Sequence, residues 1–358
     1  MRFFKWKRSG ETTGTDTPGV GSSTSSDEKK KDKKSERGIL ERPPKDCEGY
    51  PPALLPSVPD DTEIDFYVPI DSSNPNNGRL ACTLIKRPCG STSSSSSSST
   101  SSSTPTHVKE GNFTIDSSKP VVVLCHGSFS WRNQMFLAHL AYGISEPLDC
   151  HTLRFDFRGN ASSSGEFLFG GNARELEDLR CIIRFIRQTM LCDVLCVLGH
   201  SKAVYTVLKV AAAQEETQRD GVPGIPCFIN MSGRYAVPHN FDPSRSMTPD
   251  QMKTLRETGR VVLMTRGHRT NEITTADVEE RNRQDSSFVG GIRSSRVLTI
   301  HGEKDATIGV ADNARKYEEV MGKDNQNHTL RIVKGADHNY NGLRHMKELV
   351  SIVTEFLS

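Results

Sequence analysis

The sequence predicts an α/β fold: a mostly parallel central sheet with helices on both faces and a small helical cap. Three observations carry this. From Val121 onward, short apolar runs alternate with segments of helical periodicity. Runs such as VVVLC at 121–125 and VLCVL at 194–198 are apolar throughout, the mark of strands buried on both faces. Late in the chain, residues 234–295 break the alternation and carry helix-start signals of their own.

Taken in order, residues 1–60 are rich in Ser, Thr and Gly, then in Lys (Lys29 to Lys34), then in Pro. Such a segment buries too little apolar surface to offset its ordering entropy, and we expect a disordered polar tail. Its start, MRFFKWKR, reads as solvated, with contact to an anionic membrane surface as the alternative. One domain, 61–358, follows. Ile64–Val68 and Leu80–Leu84 alternate in hydropathy around the turn-rich Asn74-Pro-Asn-Asn-Gly78, which predicts a β-hairpin. The serine tract 91–106 is expected to be a loop insertion, because its composition cannot pack.

Beyond Val121–Cys125, strands are expected at Thr152–Phe157, Val194–Leu198, Cys227–Met231, Arg296–Ile300 and Leu330–Val333. Helices are expected at Ala173–Met190, whose apolar residues Leu176, Leu179, Ile182, Ile183 and Ile186 share one face, at Val204–Ala213 and at Leu343–Leu357. Within 234–295, Thr248-Pro-Asp-Gln251 has the form of a capping box and Thr274-Thr-Ala-Asp277 that of a second helix start. A helical insertion there would cover the carboxyl ends of the strands.

Composition narrows the function. The 358 residues hold 46 Lys+Arg and 44 Asp+Glu, a formal charge of +2 that leaves no electrostatic footprint for nucleic acid. No run approaches the ~18 apolar residues of a membrane span, and the basic start lacks the apolar core of a secretory signal. Nine cysteines, an odd number, with Cys125, Cys196 and Cys227 inside strand-like runs, suggest buried reduced thiols and a cytoplasmic protein. The sequons at Asn112, Asn160, Asn230 and Asn327 are therefore read as chance matches. Metal-site spacings, a Walker loop and a dinucleotide-binding glycine pattern are absent from the sequence, so neither metal nor cofactor is expected.

The chemistry is concentrated where strands end. Leu198-Gly199-His200-Ser201-Lys202-Ala203 joins a strand to a helix, a sharp turn that would expose the serine hydroxyl between small residues. A serine needs a histidine base, and the base an acid to orient it. Both follow later strands: Asp305 in HGEKD at 301–305 and His338 in GADH at 335–338, with Asp337 and Glu303 as competing acids. Parallel topology brings all three strand ends to one edge of the sheet. An oxyanion hole is assigned to the backbone N–H groups of Lys202, which starts the helix, and of Ser128, in HGSF after Leu124. The Lys202 side chain is expected to be solvated. His126, His200 and His301 are expected to brace local turns, and Asp156 and Arg158 to brace the loop after their strand.

Together HGS (126–128), FDFRGNASSSG (155–165), LGHSKA (198–203), INMSGRY (229–235), VLTIHGEKD (297–305) and GADH (335–338) resemble the α/β-hydrolase superfamily. Within it they are similar to the serine-aminopeptidase-like and cinnamoyl-esterase-like proteins, uncharacterised plant and fungal members included. The resemblance spans roughly residues 60–358, with Ala161 and Ala203 in place of frequent glycines. It implies Ser201 as nucleophile, Asp305 as acid, His338 as base and the Ser128 and Lys202 amides as oxyanion hole. The implied activity is hydrolysis of a small-molecule carboxylic ester, thioester or acylglycerol. Release of N-terminal residues from peptides, and ligand sensing without turnover, are the alternatives.

Overall fold

Apolar pentapeptides form the middle of the sheet. A computed structural model of the chain describes residues 62–71, 74, 77–87, 107–110, 113–217, 224–236, 247–264, 270–322 and 327–358, all within the compact unit Gly38–Ser358. The expected tail, 1–60, and the serine tract, 91–106, lie outside the described residues.

The strands are β1 (Glu63–Pro69), β2 (Arg79–Ile85), β3 (His107–Glu110), β4 (Phe113–Asp116), β5 (Val121–Cys125), β6 (His151–Phe155), β7 (Val194–His200), β8 (Cys227–Met231), β9 (Arg260–Met264), β10 (Thr270–Thr274), β11 (Arg296–Gly302) and β12 (His328–Val333). Eight of them make one sheet in the order β1-β2-β6-β5-β7-β8-β11-β12. The β1–β2 hairpin pairs antiparallel, Phe66 opposite Cys82, and β2 meets β6 antiparallel; every later pairing is parallel. β3–β4 and β9–β10 form separate two-stranded ribbons.

The helices are α1 (Met135–Ser145), α2 (Asn172–Gln188), α3 (Ala203–Thr217), α4 (Pro249–Thr258), α5 (Thr275–Asn282), α6 (Ala314–Met321) and α7 (Leu343–Leu357). Because side chains alternate across a strand, β5 feeds two cores. Val121, Val123 and Cys125 pack with α2 and α3 on one face, while Val122 and Leu124 pack with α1 and α7 on the other. This three-layer arrangement buries both faces of the central strands, which is why they carry no polar alternation.

The insertion between β8 and β11 holds the two expected helix starts. Thr248 and Thr274 both close capping boxes, with Gln251 and Asp277, at the heads of α4 and α5. Between these helices the structure adds the β9–β10 hairpin, whose Val261, Leu263 and Ile273 alternate inward. They pack with Met252 and Leu255 of α4 and with Phe167 and Phe169 of the loop after β6, a third apolar cluster with Phe129 at its margin.

Candidate active site

Ser201 stands where β7 turns into α3, with φ at +56°. An L-residue held in the left-handed region is strained, and the turn lifts the hydroxyl clear of the sheet. Its own amide donates to the Met231 carbonyl at 2.8 Å, tying the turn to the end of β8. Two glycines allow the approach. A Cβ at Gly199 would meet the backbone of Ala203 at 2.9 Å, and one at Gly127 would meet Ser201 Cβ at 2.9 Å. At 203 itself alanine fits, fully buried against α2 and α3 neighbours.

His338 follows β12, and its Nε2 lies 3.0 Å from Ser201 Oγ, while its Nδ1 lies 2.7 Å from Asp305 Oδ2. Three residues from three strand ends thus form one relay. Asp305 also accepts the Thr307 and Ile308 amides at 2.9 and 2.8 Å. Burial pushes its carboxyl up, but hydrogen bonds from His301, His338 and the Ile308 amide outweigh that and hold it below the usual carboxylate range. The competing acids are engaged elsewhere. Asp337 accepts the Asn339 and Asn341 amides within its own loop, and Glu303 accepts the Gly335 amide.

Three other histidines near strand ends, His126, His200 and His301, serve as braces. His126 bridges Gly127 O and the Phe157 amide, and His301 Nε2 sits 2.8 Å from Ile308 O. His200 reaches the carbonyl of His338 at 2.9 Å, farther than its own turn, and burial followed by the charge of His338 pushes its pKa down to about 3. It is therefore neutral at ordinary pH and steadies the loop that carries His338.

The Ser128 loop is held from two directions. Arg132, fully buried, forms an ion pair with Asp156, donates its amide to the same carboxylate at 2.7 Å and donates Nε to Thr83 Oγ1 at 2.9 Å. From the cap, Arg281 Nη1 donates to Ser128 Oγ at 3.0 Å. Arg158 joins the loop after β6 to α2 through Asp178 and Glu177. The Ser128 and Lys202 amides meet no acceptor among the described residues.

The Lys202 side chain corrects the sequence expectation. It is buried, with Nζ 2.6 Å from Glu175 Oε1 of α2, and burial lowers its pKa. An ammonium in that position needs the carboxylate beside it, so the lysine braces the turn against α2 instead of meeting solvent.

A cavity of about 220 Å³ contains Ser201 and His338; Gly127, Ser128, Phe129 and Phe169 line it, as do Arg234 and Arg281. A larger cavity of about 500 Å³ lies between Glu166–Leu168 and the cap's Asn271–Asp277, away from the relay. Arg234, just past the end of β8, and Arg281, on α5, escaped the sequence reading. Position at a strand's carboxyl end could have singled out Arg234; Arg281 depends on how the cap folds back. No group of three or more His, Cys, Asp or Glu arranged to hold a metal occurs among the described residues. None of the described helices is long and apolar enough to cross a membrane.

Solved structures with the same layout include Est1E from Butyrivibrio proteoclasticus, with a TM-score of 0.54 and 15% identity over 82% of this chain and 97% of that one. A putative hydrolase from Agrobacterium vitis S4 aligns with a TM-score of 0.57 and 14% identity over 83% and 98%. This chain has the α/β-hydrolase fold. The Pyrococcus furiosus esterase Pf2001 aligns likewise, with a TM-score of 0.56 and 15% identity over 89% and 97%. No family model and no curated protein matches the sequence. In the α/β-hydrolase frame the turn after β7 and the loops after β11 and β12 share one sheet edge, where Ser201, Asp305 and His338 meet.

Proposed function

We propose that the chain is a serine hydrolase that cleaves a carboxylic ester, thioesters and acylglycerols included, through an acyl-enzyme on Ser201. The relay Ser201 Oγ–His338 Nε2–His338 Nδ1–Asp305 is the observation that carries the reading. The esterases among the structural neighbours support it.

In this reading Ser201 Oγ attacks the carbonyl carbon while His338 Nε2 takes its proton. Asp305, kept ionised, holds the other ring nitrogen as N–H and favours the imidazolium that forms. Backbone N–H groups of Ser128 and Lys202 receive the oxyanion. His338 then protonates the leaving alcohol or thiol as the C–O or C–S bond breaks. Water, deprotonated by the same imidazole, releases the acid and restores the serine.

Peptidase action on free amino termini has less support. It needs an acidic group at the cavity to hold an ammonium, and among the described residues the lining contains no Asp or Glu but does contain Arg234 and Arg281. Fluorophosphonate labelling of the full chain, beside Ser201→Ala, tests the proposal together with a panel of esters of graded acyl length. Labelling lost in the variant, with turnover of at least one ester, is the expected result. Labelling without any turnover would favour ligand sensing, and no labelling at all would sink the serine mechanism.

A further inference from the structure

Two histidines meet at one oxygen of Asp305. Its Oδ2 lies 2.7 Å from His338 Nδ1 and 3.3 Å from His301 Nε2, while its Oδ1 accepts the Thr307 and Ile308 amides at 2.9 and 2.8 Å. The same His301 nitrogen lies 2.8 Å from the Ile308 carbonyl. Both neighbours of Nε2 are acceptors, so this nitrogen carries a hydrogen and shares it between them. Nδ1 of His301 is buried and has no hydrogen-bond partner, so the ring acts through Nε2.

His301 stands on firmer support than the other groups around the carboxylate. It is the next-to-last residue of β11, fully buried, with its backbone opposite Ile332 of β12. A Cβ at Gly302 would meet the Ala336 carbonyl oxygen at 2.5 Å, so the glycine lets the loop that carries His338 come up to this strand end. Glu303 and Lys304 then donate their amides to the Val333 and Ala336 carbonyls at 3.0 and 2.8 Å.

Those bonds fix the two loops but leave the carboxylate free to turn about its last bond. The Thr307 and Ile308 amides belong to Asp305's own turn and move with it. His301 belongs to the strand, and through Nε2 it ties both the carboxylate and that turn to the sheet. Burial raises the Asp305 pKa; among the groups that outweigh it, the His301 hydrogen bond comes first, ahead of that from His338. Hydrogen bonds to an ionised carboxylate are among the stronger ones, and a shift of about 1 Å among reacting groups costs on the order of 10²-fold in rate.

We infer that His301 is a positioning residue of the relay: by joining Asp305 Oδ2 and the Ile308 carbonyl to β11, it holds the carboxylate where the same oxygen meets His338 Nδ1. It takes no part in bond making. This rests on the serine-hydrolase reading above.

Variants of the full chain separate positioning from packing. In His301→Gln the terminal amide nitrogen stands near the place of Nε2 and can still donate. In His301→Asn the donor is too short to reach Asp305, and in His301→Leu a side chain of similar size has no donor. Each is measured by its rate of fluorophosphonate labelling and by steady-state kinetics on the ester that the parent turns over fastest. In the Asn and Leu variants kcat and the labelling rate should fall by roughly 10- to 100-fold, with KM within about threefold of the parent's, whereas the Gln variant should stay within about threefold throughout. Thermal midpoints show which variants fold; should His301→Leu not fold, the comparison of Gln with Asn decides alone. A folded Asn or Leu variant with the parent's kcat and labelling rate, or a Gln variant that falls as far as Asn, overturns the inference. A labelled parent with unaffected variants rejects the positioning role alone, whereas an unlabelled parent removes the serine mechanism and the positioning role with it.

Discussion

The loops at the carboxyl edge of the sheet and the cap that meets them are held by different interactions. Ser201 and Asp305 follow strands that are buried almost throughout, His338 follows the half-buried edge strand β12, and their loops are tied by backbone amides: Ser201 N to Met231 O, Ile308 N to Asp305, Ser232 N to Ile300 O. The cap has its own small apolar cluster and touches the loops through Phe129, Phe167 and Phe169 and through Arg281. A backbone-tied relay keeps its geometry when a neighbouring side chain changes. A cluster of few apolar residues does not, so under the proposed function the cap is where substrate choice would shift without loss of the chemistry.

The largest expected break of this contrast is Ser201→Ala, which should lower ester turnover by roughly 10⁵–10⁶-fold, with a melting temperature near the parent's. Ser201→Gly sharpens it. That variant should be as inactive but more stable by about 1 kcal/mol in chemical denaturation, because glycine is at ease at φ +56°. Asp305→Asn should lower kcat by roughly 10⁴-fold, while Asp337→Asn, which only loosens its own loop, should change kcat far less. Steady-state kinetics on one ester reads both.

Asp305 also sets a pH dependence. Its folded-state pKa lies below the unfolded value of about 3.9, so its stabilising contribution is complete above that pH and is lost as pH falls below it. The gap in thermal midpoint between the parent and Asp305→Asn should therefore be widest near neutral pH and close below about pH 4.

On the cap side, Ile273→Ala removes a fully buried side chain and should cost about 2–5 kcal/mol if the hairpin unfolds with the domain. Fluorophosphonate labelling of Ser201 should persist in it while the ranking of esters by acyl length changes. The smallest effect expected is that of Thr274→Ala. It opens the capping box of α5 and should cost about 1 kcal/mol in urea denaturation.

The same contrast governs what could be read from the sequence. β5 and α7 have the boundaries that hydropathy predicts, and the relay residues stand out because each follows a strand-like run. The helix α1 escapes because MFLAHLAYGIS is buried nearly all round, leaving no polar face to set a period, and Gln134 offers no side-chain cap. In β9, RVVLM has no turn signal of helix or strand type to decide its state; its pairing with β10 does. The buried Lys202–Glu175 pair is invisible for a related reason. A lysine at the start of a helix reads as solvated until α2 is packed beside it.

Arg132 has a consequence for the dynamics of the loop that carries Ser128. Its guanidinium and amide both bind Asp156, and its Nε reaches β2 through Thr83, so a single residue joins the loop after β5, the loop after β6 and a strand near the edge of the sheet. Opening that loop alone would strand a buried carboxylate without its counter-charge. The Arg132 amide should therefore exchange its hydrogen with solvent only when the sheet itself opens, in the slowest class of the molecule, although it belongs to a loop. Under the proposed function, a loop that unfolds only with the core would present the same Ser128 amide to every substrate that arrives.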